Sequence, residues 1–386
     1  MTNEIYLDYA STSPMWPEVL EAMTPFLTTA FGNPSSVHGF GREARKAVEF
    51  ARGQVASALG AQPREICFTS GGTESDNWAI RGAALARQDR GRHLITTRVE
   101  HPAVLNTMRA LEKQGWEVTR LPVDAEGRVD PREVKRAIRG DTVLISVMTA
   151  NNEIGTLQPV EEIGRIAREA DVLFHTDAVQ AVGAIPICPE WMEADLLSLS
   201  GHKFHGPKGI GVLYVRQGTI LEPLITGGEQ ERRMRAGTEH VAGIVGLGKA
   251  IELAAARMPE NSRRIRALRD LLIREVLEGI PDAVLNGPRE ARLPGNASFS
   301  FRGIDGEALL LRLDLAGIAA SSGSACTSGS LEPSHVLEAV GQAPELIKGS
   351  LRLSLGAETT ESEIRQVTET LTVLVKELRA MRHIAV

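Results

Sequence analysis

The feature that most constrains this chain is an alternation of two textures. Short apolar runs recur between segments of helical periodicity: ICFTS (66–70), HLITT (93–97), TVLISVMTA (142–150), VLFHTDA (172–178) and DLLSLS (195–200). Runs this short and this continuously apolar suit strands covered on both faces. The intervening segments carry helix signals. A Gly-Gly turn precedes ESDNWAIRGAALA, and PVEEIGRIAREA reads as another helix. Asp130-Pro131-Arg132-Glu133 supplies a cap, a proline at the first position and a glutamate three residues on. Upstream, GREARKAVEFARGQVASALG places Ala44, Ala47, Val48, Ala51, Val55 and Leu59 on one helical face, and Gly60 suits its stop. Strands alternating with helices predict an α/β protein with a mostly parallel, doubly wound sheet. In such sheets ligands bind outside the carboxyl ends of the strands.

Beyond about residue 250 long helices take over. The last is expected to start at a Thr360-x-x-Glu363 capping box and to bury Ile364, Val367, Leu371, Leu374 and Leu378. The expected organisation is a large domain over 15–255 and a smaller α+β domain formed by 1–14 and 256–386. The Ser/Gly-rich stretch 321–330 lies in the smaller one. A formal net charge of −6 argues against nucleic acid or an anionic membrane as partner. No apolar run approaches the roughly 18 residues of a membrane span. MTNEIYLDYA lacks a basic segment followed by an apolar one, so the expectation is a cytoplasmic enzyme. Three widely spaced cysteines, Cys67, Cys188 and Cys326, fit neither a disulfide framework nor a zinc site.

Polar residues collect where the strands should end. Gly71-Gly72-Thr73-Glu74 follows ICFTS and opens a helix, so it is either a phosphate cup or an ordinary capped turn. Asp177 and Gln180 follow VLFHT; the carboxylate is either a helix cap or the partner of a protonated nitrogen. Ser200-Gly201-His202-Lys203 follows the last run; its lysine is either a surface residue on a loop, the commoner case for a lone lysine, or one held in a crevice, where it can lose its proton and act as a nucleophile toward carbonyls. A phosphate cup, a carboxylate and a buried lysine on adjacent strand ends are what pyridoxal 5′-phosphate requires. His101 before Pro102 reads, on its own, as a helix-start residue. Arg352 in GSLRLSLG is either paired to an internal acid or waiting for a substrate carboxylate. Arg232, Arg233 and Arg235 read as a solvated loop or a subunit contact. His202 and His205 have no third ligand nearby in sequence, so no metal site is expected.

These residues sit in segments that, in order, resemble cysteine desulfurases of the NifS/IscS type, within the class V, fold-type I pyridoxal-phosphate enzymes. The resemblance runs from YLDYASTSP through FGNPSSVHGFG, FTSGGTESDN, VEHPAV, ANNEIGTLQPVEEI, FHTDAVQAVG, SGHKFHGPKG and RRMRAGTEH to SSGSACTSGSLEPSHV and LRLSLG. It implies that Lys203 holds the cofactor covalently and that Asp177 and Gln180 contact its ring. It implies that His101 stacks on that ring, and that Gly72, Thr73, Ser200 and His202 bind the phosphate. Thr238 would reach into the second subunit of a homodimer. Asn152 would border cofactor and substrate, and Arg352 would hold the substrate carboxylate. Cys326 matches the nucleophile of SSGSAC. The implied reaction takes sulfur from L-cysteine, leaves L-alanine and loads Cys326 with a persulfide. The implied recipients are iron–sulfur scaffold or other sulfur-acceptor proteins, and Cys326 is also open to ligating a transferred cluster. Two departures stand out: Ser11-Thr12-Ser13 where relatives commonly read Ala-Thr-Thr, and His240 where asparagine is frequent. A selenocysteine or cystine lyase on the same scaffold is the near alternative, and a non-catalytic sulfur-assembly scaffold the distant one.

Overall fold

The computed structural model describes residues 4–322 and 333–384 of the 386-residue chain. A two-residue strand, β1 (Ile5–Tyr6), is followed by helices α1 (Pro17–Thr28) and α2 (Gly39–Leu59). Strand and helix then alternate as expected: β2 (Ile66–Thr69), α3 (Gly72–Ala86), β3 (His93–Thr97), α4 (Pro102–Glu112), β4 (Glu117–Leu121), α5 (Pro131–Ala137), β5 (Thr142–Ser146), α6 (Val160–Glu169) and β6 (Leu173–Asp177). Two more strands, β7 (Leu196–Ser200) and β8 (Gly211–Val215), complete a seven-stranded sheet of order β2-β8-β7-β6-β5-β3-β4. Its central pairs are parallel, and β8 alone runs against its neighbours β2 and β7. The α/β reading of the sequence therefore holds.

Local signals act where the sequence places them. Gly60 closes α2 at φ 64°, a left-handed conformation that glycine adopts without a Cβ penalty. Asp130 caps α5 by accepting from the Arg132 amide at 2.8 Å. TVLISVMTA, however, is strand only to Ser146. Beyond it the Met148 amide turns to the Glu100 carboxyl instead of a neighbouring strand.

The 39-residue α7 (Val241–Gly279) leads into β9 (Ala283–Leu285), β10 (Asn296–Phe301), α8 (Gly306–Leu315), β11 (Ile318–Ala319), α9 (His335–Ala339), α10 (Pro344–Ile347), β12 (Ser350–Ser354) and α11 (Glu361–Ile384). The Thr360–Glu363 capping box forms reciprocally at the start of α11. One apolar cluster packs the helices against the large sheet. A second surrounds the antiparallel sheet β12-β10-β9 and takes in Ile364, Val367 and Leu371 of α11. Helix α7 serves both, giving Ile244, Leu247, Ala250, Ile251 and Ala254 to the first and Leu268, Leu272, Ile273 and Val276 to the second. β1 pairs in parallel with β11, so the N-terminal strand lies on the second cluster. The segment after it, residues 8–13, is thereby drawn across the ends of the large sheet.

Candidate active site

The carboxyl ends of β2, β6 and β7 bring the expected residues together. After β2, Gly71 adopts φ 146°, and a Cβ on Gly72 would stand 2.7 Å from Val179 Cγ2. Only glycine lets this turn approach the β6 and β7 ends so closely. The turn delivers the first amides of α3, which have no partners inside the helix, beside Ser200. Glu74 in that first turn caps the Ser70 amide at 2.8 Å and is gripped by Arg235 through two bonds of 2.8 and 3.0 Å. Its charge is thereby balanced next to a turn suited to an anion.

At the end of β6, Asp177 is buried, and its Oδ1 accepts from the Val179 amide at 2.9 Å. Among the described residues it has no ion-pair partner within 4 Å, although it lies in the electrostatic field of His101 and Lys203. Burial pushes its pKa up, and the backbone bond and those two bases oppose the rise. Strand alternation puts His175 on the same face two residues earlier. His175 joins Ser146 at 2.8 Å and Ser198 at 3.0 Å, and burial lowers its pKa to about 3, so it stays neutral. Asp76 of α3 lies beneath, wholly buried, and its pKa is raised by burial and by Asp177.

Lys203 stands three residues past β7. Its Nζ donates to the carbonyls of Ala10 at 2.6 Å and Ser11 at 2.8 Å, and Gln180 Nε2 donates to the same Ala10 carbonyl at 2.9 Å. His202 joins Thr12 Oγ1 at 3.1 Å, and the Ser13 hydroxyl donates to the His202 carbonyl at 2.8 Å. The pKa of His202 falls to about 4, chiefly through burial and then through Lys203 and Lys208. Segment 8–13 is thus bonded to the lysine turn.

His101 is the helix-start residue its sequence suggested, capping α4 by accepting from the Ala103 amide at 3.1 Å. Burial holds its pKa below the usual imidazole value. Next to it, Glu100 is fully buried, accepting from the Thr97 hydroxyl at 2.7 Å and from the Met148 amide. Burial pushes Glu100 up to about 8 from 4.5, so the folded protein keeps a proton that the unfolded chain has lost. Folding then takes up a proton between those two values, and stability falls as pH rises through that window. Glu100→Gln should flatten the decline of the melting temperature between about pH 6 and 8. An unchanged slope would place the titrating group elsewhere.

Arg352 projects from β12 and is paired to an internal acid, Asp8, at 2.9 Å. Its Nη1 also donates to the Asn152 carbonyl at 3.1 Å, so the two residues expected at the substrate meet here. The backbone of Arg352 pairs with Ser321. Farther along, Ser334 donates to the buried Glu153, and His335 Nε2 lies 3.0 Å from the Glu100 carbonyl. The chain on both sides of 323–332 is thus fastened beside the site; Cys326 itself lies outside the described residues.

The basic group at 232–235 is more than a solvated loop. Arg235 grips Glu74, and Arg232 donates to the Ile66 carbonyl at 2.7 Å. Glu231, Arg232 and Arg233 hold left-handed φ values of 45°, 58° and 67°, fastened by the buried Arg52–Glu231 pair at 2.8 Å. This anchored turn presents Thr238 as an exposed residue. His202 and His205 diverge, His205 stacking on Trp16 at 4.2 Å. Among the described residues no group of three or more His, Cys, Asp or Glu is placed to hold a metal. Asp8, Asp76, Glu100 and Glu153 were not singled out in the sequence. A carboxylate within an apolar run's flank was the available signal only for Glu100.

The residues present suit pyridoxal phosphate on two counts. A buried carboxylate at a strand end, Asp177, has no ion-pair partner among the described residues, and a glycine turn that a Cβ would fill leads into a helix N-terminus. Fold and site together define a fold-type I pyridoxal-phosphate enzyme. The chain belongs to the class-V aminotransferase family, whose model matches residues 5–367. It is 55% identical over 381 residues to the cysteine desulfurase IscS of Dictyoglomus turgidum, covering 99% of this chain and 97% of that one. A solved NifS-like protein superposes with a TM-score of 0.92 at 40% identity, covering 97% of this chain and 100% of that one. A structure of SspA in complex with cysteine superposes at 0.81 and 39% identity, covering 92% of this chain and 100% of that one.

Proposed function

We propose that this chain is a pyridoxal-phosphate-dependent cysteine desulfurase that removes sulfur from L-cysteine, leaves L-alanine and carries the sulfur as a persulfide on Cys326. The observation that carries the reading is the meeting of Lys203, His101 and buried Asp177 at the sheet's carboxyl edge, with Arg352 facing them across segment 8–13. The likeness to desulfurases over nearly the whole chain supports the reaction type.

When bound, the cofactor supplies an electron sink that makes the substrate Cα proton acidic. Lys203 would hold it, with Gly72, Thr73, Ser200 and His202 around the phosphate and Thr238 entering from a second subunit. Neutral His202 would contribute as an N–H donor. Asp177, whose rise in pKa on burial is opposed by His101, the Val179 amide and Lys203, would hold a proton on the ring nitrogen, while Gln180 would meet the ring oxygen and His101 would cover its face. Arg352 and Asn152 orient the substrate through its carboxylate, and Lys203 takes the Cα proton, with His101 the neutral base next to it. The Cys326 thiolate attacks the substrate sulfur: the carbon–sulfur bond breaks, a sulfur–sulfur bond forms, and one proton delivered to the former Cβ and one returned to Cα complete alanine.

A homodimer is part of this proposal. Phe31, Val37, Phe40 and Phe50 are exposed large apolar side chains, with Phe31 and Phe40 stacked at 5.5 Å. Such a patch marks an interaction surface. Iron–sulfur scaffold or other sulfur-acceptor proteins are the proposed recipients, in the cytoplasm. No helix among the described residues is long and apolar enough to cross a membrane. The test is stoichiometric: purified holoenzyme given L-cysteine and a thiol reductant should release alanine and sulfide in equal amounts. Pyruvate and ammonia in place of alanine would reject the desulfurase reading.

A further inference from the structure

Arg352 is the buried cation of the site, 1% exposed, and its donors are unequally used. Nη1 donates to the Asn152 carbonyl. Nη2 donates both to Asp8 Oδ1 and to Ser11 Oγ, each at 2.9 Å. The Ser11 hydroxyl in turn donates to Asp8 Oδ1 at 2.9 Å, closing a three-membered ring of contacts. Nε is buried and has no hydrogen-bond partner among the described residues. A guanidinium grips a carboxylate best through two parallel N–H groups. Here one donor stands idle, while Nη2 is shared between an internal carboxylate and a hydroxyl.

We propose that Asp8 and Ser11 form an internal substitute for the substrate carboxylate, with which L-cysteine must compete for Arg352, so that these two residues set substrate affinity. The inference rests on Arg352 being the carboxylate seat. Asp8 is suited to yielding: its side chain is 20% exposed against 2% for Arg352, so a displaced carboxylate has water within reach. Ser11 serves as the tie, because its hydroxyl both accepts from the guanidinium and donates to the acid. The arrangement keeps the buried cation paired when no amino acid is bound, which an empty seat would not do. A second buried carboxyl, Glu153, feels the charge of Arg352 but is bonded to Ser334. The main chain reinforces the placement. Asp8 bridges to Ser354, and the Ala10 amide donates to Ser354 Oγ at 2.8 Å, so the acid and the arginine are fixed to the same strand.

The test is calorimetric binding of L-alanine to the holoenzyme, together with KM for L-cysteine. Ser11→Ala removes the tie and frees a donor, so it should tighten L-alanine binding and lower KM about 3- to 10-fold, the worth of one hydrogen bond. Asp8→Asn should act in the same direction if the variant folds, and Ser11→Ala keeps the proposal testable if it does not. A role confined to holding Arg352 in place predicts the opposite sign, weaker binding in both variants. That result, or unchanged binding in Ser11→Ala, would overturn the proposal. Arg352→Lys separates the two levels, since it should weaken L-alanine binding at least tenfold whatever Ser11 does. If it does not, the carboxylate seat itself has been misassigned.

Discussion

Replacing Lys203 by alanine should reduce alanine formation from L-cysteine by at least about 10³-fold while the protein remains folded. A positioned acid–base group contributes roughly 10²–10⁴-fold, and Lys203 would also be the covalent holder of the cofactor. The substitution is structurally mild. Lys203 is half-buried and donates to the carbonyls of Ala10 and Ser11, and the Ala10 carbonyl keeps its bond from Gln180 when the lysine is removed. The measurement is turnover of cofactor-saturated variant beside its far-ultraviolet dichroism. A variant that retains the fold and more than a tenth of the activity would remove Lys203 from the chemistry.

Cys326→Ala should abolish persulfide formation altogether while sparing cofactor colour and L-cysteine binding. Only a thiolate can take the sulfur from carbon, and no other cysteine is suited to the task. Cys67 is buried, and its thiol is pushed up to about 11 by burial and by Glu231. Cys188 is also buried, packed near Gly60 at the far end of α2. The flanks of 323–332 are fastened at Ser321 to Arg352 and at Ser334 to Glu153, so the segment that holds Cys326 leaves from and returns to the site's border. Persulfide trapped by alkylation and counted per subunit checks the point. Undiminished persulfide in Cys326→Ala would assign the nucleophile elsewhere.

The parts of the fold that were readable are those whose cause is local. β3 coincides with HLITT because it is covered on both faces and continuously apolar. β4 gave no such signal: EVTRL is an edge strand with one exposed and three half-buried residues before Leu121, and Val118 and Leu121 are its only apolar positions. TVLISVMTA ran past the true strand end because nothing local reveals that Met148 donates to Glu100, 48 residues upstream. The site divides in the same way. Lys203 and Asp177 were legible only in combination: alone, one reads as readily as a loop lysine and the other as a helix cap, and the glycine turn beside them is what shifts the reading. His101 was ambiguous from sequence alone, and it does cap α4 while also lying in the field of Asp177 and Lys203. The pairing of Arg352 with Asp8 spans 344 residues and depends on β1 joining β11, so no local pattern announces it.

The central claim is that sulfur leaves L-cysteine for Cys326 of this chain. Its most direct measurement follows isotopically labelled sulfur from L-cysteine into the wild-type holoenzyme without reductant, with the modified peptide identified by mass spectrometry. The account predicts one added sulfur atom on the peptide containing Cys326, accompanied by one equivalent of alanine per labelled subunit. Label on Cys67 or Cys188, or alanine released with no sulfur retained on the protein, would contradict it.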